Sequence, residues 1–535
     1  MKRLRSIMIV LVILSLIGFV SGGGTDRSSG GAGAGQDLST YPMKTNVTLT
    51  YWMELNSPNV STNYTSMNDT DFAKYVQEET GVKINFISPA VGQGTQAFNL
   101  LVASGNMPDI IAYGWNRPPG YPGGPSAALS NKIIIPLNDM LPTLAPEMKK
   151  LFDDNPEYDK MIKTDDGVYY IFPVMKLDDY LNTTYGIFIR QDWLDELGLK
   201  SPITIDDWNT VLTAFKTRKG AAVPFTIGGM GLFGNGMFIG AYGITKNWYL
   251  QNDRVTYGAN EPGYRDWLKN MAKWYSEGLW DNNFPTNDQA AIDSNLLTGV
   301  SGASAFWIGS GLGRYIPALR EMNPKATMTA TTYPVLRAGD TPQFNSLLNP
   351  FDGAGACITT SCKNPEVAVR FLNYGYTEKG RKTWNYGREG ISFTITNGVV
   401  NLTPAVTSHA KGWPLGQAWS QFAHGVYPGP YFSERRFLEL YYPFPEQIDA
   451  LEKFTATNMR SHLIPPISPA LDESAEFGRI MTNVRSYEDE YTLTAIMGTV
   501  NIDATYANYI EQLRRLGMPR AIEIQQKALA RYRAR

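Results

Sequence analysis

Apolar and polar positions alternate over 47–53 and again over 82–86, the two-residue period of strands, and the segment 71–80 between them reads as a helix ended by Gly81. A strand, a helix and a parallel strand form a right-handed crossover unit. FNLLVASGNMPDII, residues 98–111, repeats the unit: Gly105 can take the left-handed backbone that ends a helix, and Pro108 stops it from continuing, so a buried strand begins near Asp109. The chain thus opens as an α/β sheet, whose ligands bind outside the carboxyl ends of its strands. A second α/β region starts at Tyr185–Arg190, and Thr204 with Asp207 has capping-box form ahead of the helix 208–215. Tyr264, Trp267, Leu268, Met271, Trp274 and Tyr275 recur on one helix face, the pattern of core packing. A strand is expected at 357–360, and the end of the chain is helical on both sides of Gly517-Met518-Pro519.

At 535 residues the chain exceeds one compact core; three to four small units or two large lobes fit equally. A formal charge of -2 gives no electrostatic reason to expect nucleic acid or an anionic membrane as partner. Residues 1–22 read as an export signal: Lys2, Arg3 and Arg5 precede the apolar run Ile7–Val20 and then small residues. As a helix that run rises about 21 Å, short of a hydrocarbon core of about 30 Å. Residues 23–43 follow as a flexible Gly/Ser tether.

Motifs of enzyme chemistry are weak. Gly229-x-Gly231-x-x-Gly234, with Asp253 downstream, has the spacing of a dinucleotide loop, but the glycines that follow make a poor helix to hold a pyrophosphate, so no cofactor is expected. Neither a Walker loop nor a Gly-x-Ser-x-Gly elbow is present. The acid pairs Asp165/Asp166 and Asp178/Asp179 sit where neighbouring side chains point apart, unsuited to glycoside hydrolysis. His409, His424 and His462 follow no zinc spacing, and Cys357 and Cys362 read as separate thiols; no metal is expected.

The chain is rich in aromatics, with 12 Trp and 30 Tyr, and aromatic faces suit the C–H face of a sugar ring while acids and amides pair its hydroxyls. Candidate ligand-binding residues are Trp52 with Glu54 after the first strand, Trp115 with Asn116 after the strand that Pro108 starts, Trp307, Asp352 and Trp413. For each tryptophan, simple packing at a loop is the equal alternative.

Six segments extend the picture: 98–111, GIFIRQDWLDELGL (186–199), MAKWYSEGLWDNNF (271–284), ITTSCKNPEVAVRFLNYGYTEKG (358–380), NYGREGISF (385–393) and the tail 506–532. Together they resemble the large extracellular solute-binding proteins of bacterial ABC oligosaccharide importers, among them the alginate-oligosaccharide and LplA-like lipoprotein receptors. The resemblance implies a two-lobed, type II periplasmic-binding-protein-like α/β fold that closes on an oligosaccharide and presents it to ABC permease subunits. It implies a monomer held at the extracellular face of the membrane or in the periplasm, although Gly22 stands where the family's lipid-bearing Cys is expected. By position, Tyr185–Ile189 matches the first crossover and Trp307 the ring-stacking Trp after the second. The lobes are expected over 44–185 plus 300–350 and over 186–299 plus 351–535. Some relatives carry an acidic calcium loop before a Pro-Phe strand; here 216–225 lacks the acids, so no calcium is expected. A secreted polysaccharide-active enzyme, or a receptor for a peptide or other solute, is the alternative.

Overall fold

A computed structural model describes residues 36–55, 58–117, 120–229, 236–424 and 429–535. The expected export signal, the tether up to residue 35, and Gly231 and Gly234 lie outside the described residues.

Two sheets organise the chain. The first contains β1 (Thr48–Met53), β2 (Lys83–Ile87), β3 (Ile110–Tyr113) and β4 (Phe172–Lys176). The second contains β5 (Tyr185–Arg190) and β6 (Phe225–Thr226) and, after the hairpin β7 (Trp248–Gln251) and β8 (Arg254–Tyr257), β9 (Ala303–Trp307) and β10 (Met328–Ala330). The chain then returns to the first sheet with β11 (Gly355–Ile358), makes the hairpin β12 (Phe393–Thr396) and β13 (Val399–Leu402), and adds β14 (Tyr431–Ser433). Strand orders are β14-β4-β11-β3-β1-β2 and β10-β5-β9-β6.

This pairing differs from the lobe boundaries expected above. β9 is antiparallel to β5, so 303–307 belongs to the second sheet, whereas β11 pairs with β3 and β4 and returns the chain to the first. The reason is long-range: Tyr185 lies opposite Trp307, and Ile111 opposite Cys357. The sheets are joined by three crossovers, 177–184, 331–354 and 434–444. The tether also ends earlier than expected, because Arg370 donates to the carbonyls of Leu38 (3.0 Å) and Ser39 (3.3 Å) and holds that stretch on the first lobe.

Local chemistry sets several boundaries. Thr204 and Asp207 form the expected capping box, each side chain accepting from the other's backbone N–H at 3.0 and 2.8 Å. The helix Gly94–Ser104 ends at Gly105, whose φ of 68° is the left-handed conformation a glycine adopts without strain. Asp109 then locks β3 to β1: its carboxylate accepts from Thr50 N (2.8 Å) and Thr50 Oγ1 (2.7 Å), and its N–H donates back to Thr50 Oγ1 (2.9 Å).

Each sheet has its own core. Around the first, Tyr51, Phe86, Ile111 and Cys357 pack with Phe371 and Trp384 from later helices. Around the second, the expected stripe of Tyr264, Trp267, Leu268, Met271 and Trp274 is buried, with Tyr275 packed at its edge. The terminal helices Leu471–Ile496, Ile502–Arg515 and Met518–Ala534 cover this second core. Cys357 is buried and Cys362 half-buried, both as free thiols.

Candidate functional site

The carboxyl ends of β1 and β3 face the crossovers, and from them the sequence offers two tryptophans. Neither reaches a cleft. Trp52 is 2% exposed, wedged against Phe98 and Tyr113 at ring distances of 6.3 and 5.9 Å. Trp115 turns back: its indole N–H donates to Ile111 O (3.2 Å) and its ring meets Phe98 edge-on at 5.4 Å. The helix Gly94–Ser104 lies over this end of the sheet, so both rings become core. Glu54 is drawn to the same helix. Its carboxylate lies directly against Gly94, with no room for a Cβ there, which places the anion at the positive amino end of the helix.

Asn116 and Asp352 do come together. Asn116 N–H donates to Gly353 O (3.0 Å), and its Oδ1 accepts from Ser468 Oγ (2.9 Å). Asp352 pairs with Arg117 at 2.6 Å and accepts from Ala354 N at 3.1 Å. The two residues border a cavity of about 280 Å³ whose other wall comes from Trp248, Asn349, Ile467 and Gln525. First-lobe loop, second crossover and second-lobe helix thus meet at one opening.

Trp307 ends β9 in register with Tyr185, the first residue of β5, and the next N–H, of Ile308, donates to Thr184 O in the first crossover (2.9 Å). It therefore stands at the crossover end of the second sheet, before the second crossover begins rather than after it. Its indole is 48% exposed, the one aromatic side chain left exposed among the described residues. Tyr185 holds it edge-on at 5.2 Å and is itself fixed by donating to Ala305 O at 3.1 Å. Burial pushes the Tyr185 phenol well above its ordinary pKa, so it remains a neutral donor. The platform and the cavity border the same crossovers, for Leu348 N–H donates to Asn182 O at 3.1 Å.

Trp413 does not join them. It packs face to face on His409 at 4.5 Å, lies edge-on to Tyr64 at 6.1 Å, and carries the Lys411 ammonium 4.6 Å from its centroid. Asn59 and Tyr441, neither among the candidate ligand-binding residues, bridge instead: Asn59 Nδ2 donates to Tyr441 OH at 3.0 Å, linking the turn after β1 to the third crossover. Tyr441 also packs on Gly309, two residues past Trp307. The tyrosine pair before Pro443 was the available signal.

Other candidates are absorbed by structure. Asp165 accepts from Arg531 (2.6 Å) and Arg535 (2.6 Å), Asp178 caps Tyr180 N (2.9 Å), and Asp179 pairs with Arg460. Asp253 pairs with Arg533 at 2.8 Å. The segment after the glycine-rich loop forms only the short turn Ile239–Tyr242, no platform for a pyrophosphate. Residues 216–225 do not fit calcium: Lys216 donates to Glu277 O (2.5 Å) and Lys219 pairs with Glu196. Among the described residues no group of three or more His, Cys, Asp or Glu is arranged to hold a metal.

The family model described as bacterial extracellular solute-binding protein matches residues 61–382, more than half of the chain. The chain belongs to the bacterial extracellular solute-binding proteins. Among relatives, this solute-binding protein is 29% identical over 266 residues to the fructooligosaccharide ABC transporter substrate-binding protein FusA of Streptococcus pneumoniae, covering 45% of this chain and 46% of FusA. It is 25% identical over 307 residues to the polygalacturonan/rhamnogalacturonan-binding protein YtcQ of Bacillus subtilis, covering 55% of this chain and 56% of YtcQ. The alignments thus span about half the length of these relatives. The fold extends further. The crystal structure of alginate-binding protein AlgQ2 without calcium ion superposes with a TM-score of 0.71 at 23% identity, over 92% of this chain and 99% of that one. S. pneumoniae FusA in complex with kestose gives 0.73 at 20% identity, over 91% and 100%. The solute-binding protein therefore has the two-lobed α/β fold. Among the described residues no helix is long and apolar enough to cross a membrane.

Proposed function

We propose that this solute-binding protein captures an oligosaccharide between its lobes and presents it to the transmembrane subunits of an ABC importer at the outer face of the cell membrane. The observation that carries the reading is Trp307, a half-exposed indole at the crossover end of the second sheet, braced by Tyr185. An exposed aromatic face held rigid by a buried partner suits a sugar ring. The carbohydrates bound by the relatives FusA, YtcQ and AlgQ2 support a sugar ligand, and FusA's place in an ABC transporter supports the importer.

In the mechanism, a sugar stacked on Trp307 and hydrogen-bonded by Asn116 and Asp352 from the first-lobe side contacts both lobes only when they are closed, so binding shifts the population toward closure. Micromolar affinity corresponds to about -8 kcal/mol, within reach of one stacked ring and several paired hydroxyls. In this reading the protein acts as a monomer and binds without turnover; Asp165 and Asp179 are engaged by arginines and Asp178 caps Tyr180 N.

Titration of an oligosaccharide panel by calorimetry, with chromatography of the recovered sugar, tests the reading. Saturable binding with intact sugar is expected. Hydrolysed product would make the protein an enzyme, and saturation by peptides alone would make it a peptide receptor.

A further inference from the structure

The relatives' names span neutral and acidic sugars, and the charges around the cavity distinguish between the two. The cavity of about 280 Å³ beside the second crossover has one charged lining residue, Asp352, an anion. Its counterion Arg117 places one guanidinium nitrogen 2.6 Å from the carboxylate, so the pair carries no net charge. Two further arginines near the crossovers are engaged as well: Arg435 lies 3.8 Å over the Tyr180 ring with Asp178 at 3.7 Å, and Arg460 pairs with Asp179.

The other polar lining groups are neutral amides with capacity to spare. Asn116 uses Oδ1 to accept from Ser468, which leaves its Nδ2 as a donor. Asn349 uses Nδ2 to donate to Ile464 O at 2.8 Å, which leaves its Oδ1 as an acceptor. A spare amide donor and a spare amide acceptor match the adjacent hydroxyls of a neutral sugar, each of which both gives and takes a hydrogen bond, and Phe351, Ile464 and Ile467 supply an apolar wall. A uronate would bring its carboxylate beside Asp352, the one charged residue lining the cavity among the described residues, a like-charge contact in a partly desolvated space. Trp307 is braced by a neutral residue too, Tyr185.

We infer that the ligand of this protein is a neutral oligosaccharide, one of whose rings occupies the cavity between Asn116, Asn349 and Asp352, and that uronate-containing oligosaccharides are rejected there. The inference rests on the oligosaccharide reading above. Asp352 is then a specificity residue: it neutralises Arg117 and repels a second carboxylate.

Calorimetry on the full chain with two probe sets tests this, one of neutral fructo-, gluco- and galacto-oligosaccharides and one of oligogalacturonates and oligomannuronates. At least one neutral sugar should bind, with every uronate about 100-fold weaker or worse. Asp352→Asn, which leaves Arg117 uncommitted beside the cavity, should raise uronate affinity about tenfold. Asn349→Lys places a cation in the same wall and should give the same gain, which keeps the test open if Asp352→Asn fails to fold. Uronates binding more tightly than every neutral sugar would overturn the inference while leaving the oligosaccharide reading intact. Binding of neither set would overturn the oligosaccharide reading itself.

Discussion

Trp115 and Trp307 are the same residue type in opposite circumstances, and substitution separates their roles. Trp115 is 1% exposed with its N–H satisfied by Ile111 O, so Trp115→Ala opens a core cavity and should cost about 3 to 5 kcal/mol in urea unfolding. Ligand affinity of the folded fraction should be unchanged. His424 gives a pH-dependent counterpart. It is enclosed by Phe72, Trp384 and Tyr431, and burial lowers its pKa to about 3. In the unfolded chain the imidazole protonates near about pH 6.5, so the unfolded state binds the extra proton first and stability falls as pH drops from about 6.5 toward 3. His424→Gln should flatten that part of a stability-versus-pH curve relative to the parent; identical slopes would show that the histidine does not contribute. The sequence singled out Trp307, a large ring in an apolar run broken by small residues, which the structure leaves exposed, and also Trp52 and Trp115, which it buries. That both follow strands is visible locally; that the helix Gly94–Ser104 covers them is not, because Phe98 meets them only in the fold.

The joint between that helix and β3 shows how much a short motif can determine. Gly105 ends the helix, and Asp109 makes three hydrogen bonds to Thr50 that fix β3 beside β1. Asp109→Ala should destabilise the first lobe by roughly 2 to 3 kcal/mol, as expected for a charged hydrogen-bonding group whose partners are left behind. Sugar affinity should change little, since the motif sits at the start of β3 and the cavity at its end. Elements with such punctuation were readable: the capping box at Thr204 and the stripe from Tyr264 to Trp274 are where local spacing placed them. The polar stretch 153–166, expected as a surface excursion, contains the short helix Pro156–Met161, which starts at a proline and buries none of its residues. Short polar helices carry too little periodicity to declare themselves.

Lobe membership was the least legible property, because it depends on which distant strands pair. Nothing within 303–307 says that it will lie against β5, and a few hydrogen bonds between remote segments decide it. The same long-range economy governs how the lobes are held. The helix Met518–Ala534 packs on the second core, while Arg531 and Arg535 reach Asp165, close to the first. Asp165→Asn should loosen this strap and enlarge the radius of gyration of the ligand-free protein in small-angle scattering, with closure restored by saturating sugar. The decisive measurement is calorimetric titration of the parent protein and Trp307→Ala with the tightest-binding oligosaccharide of the panel. Micromolar binding by the parent and a loss of roughly 2 to 3 kcal/mol in the variant, a Kd about thirty- to 150-fold weaker, is the expected result. Equal affinities in the two would contradict a sugar site built on Trp307.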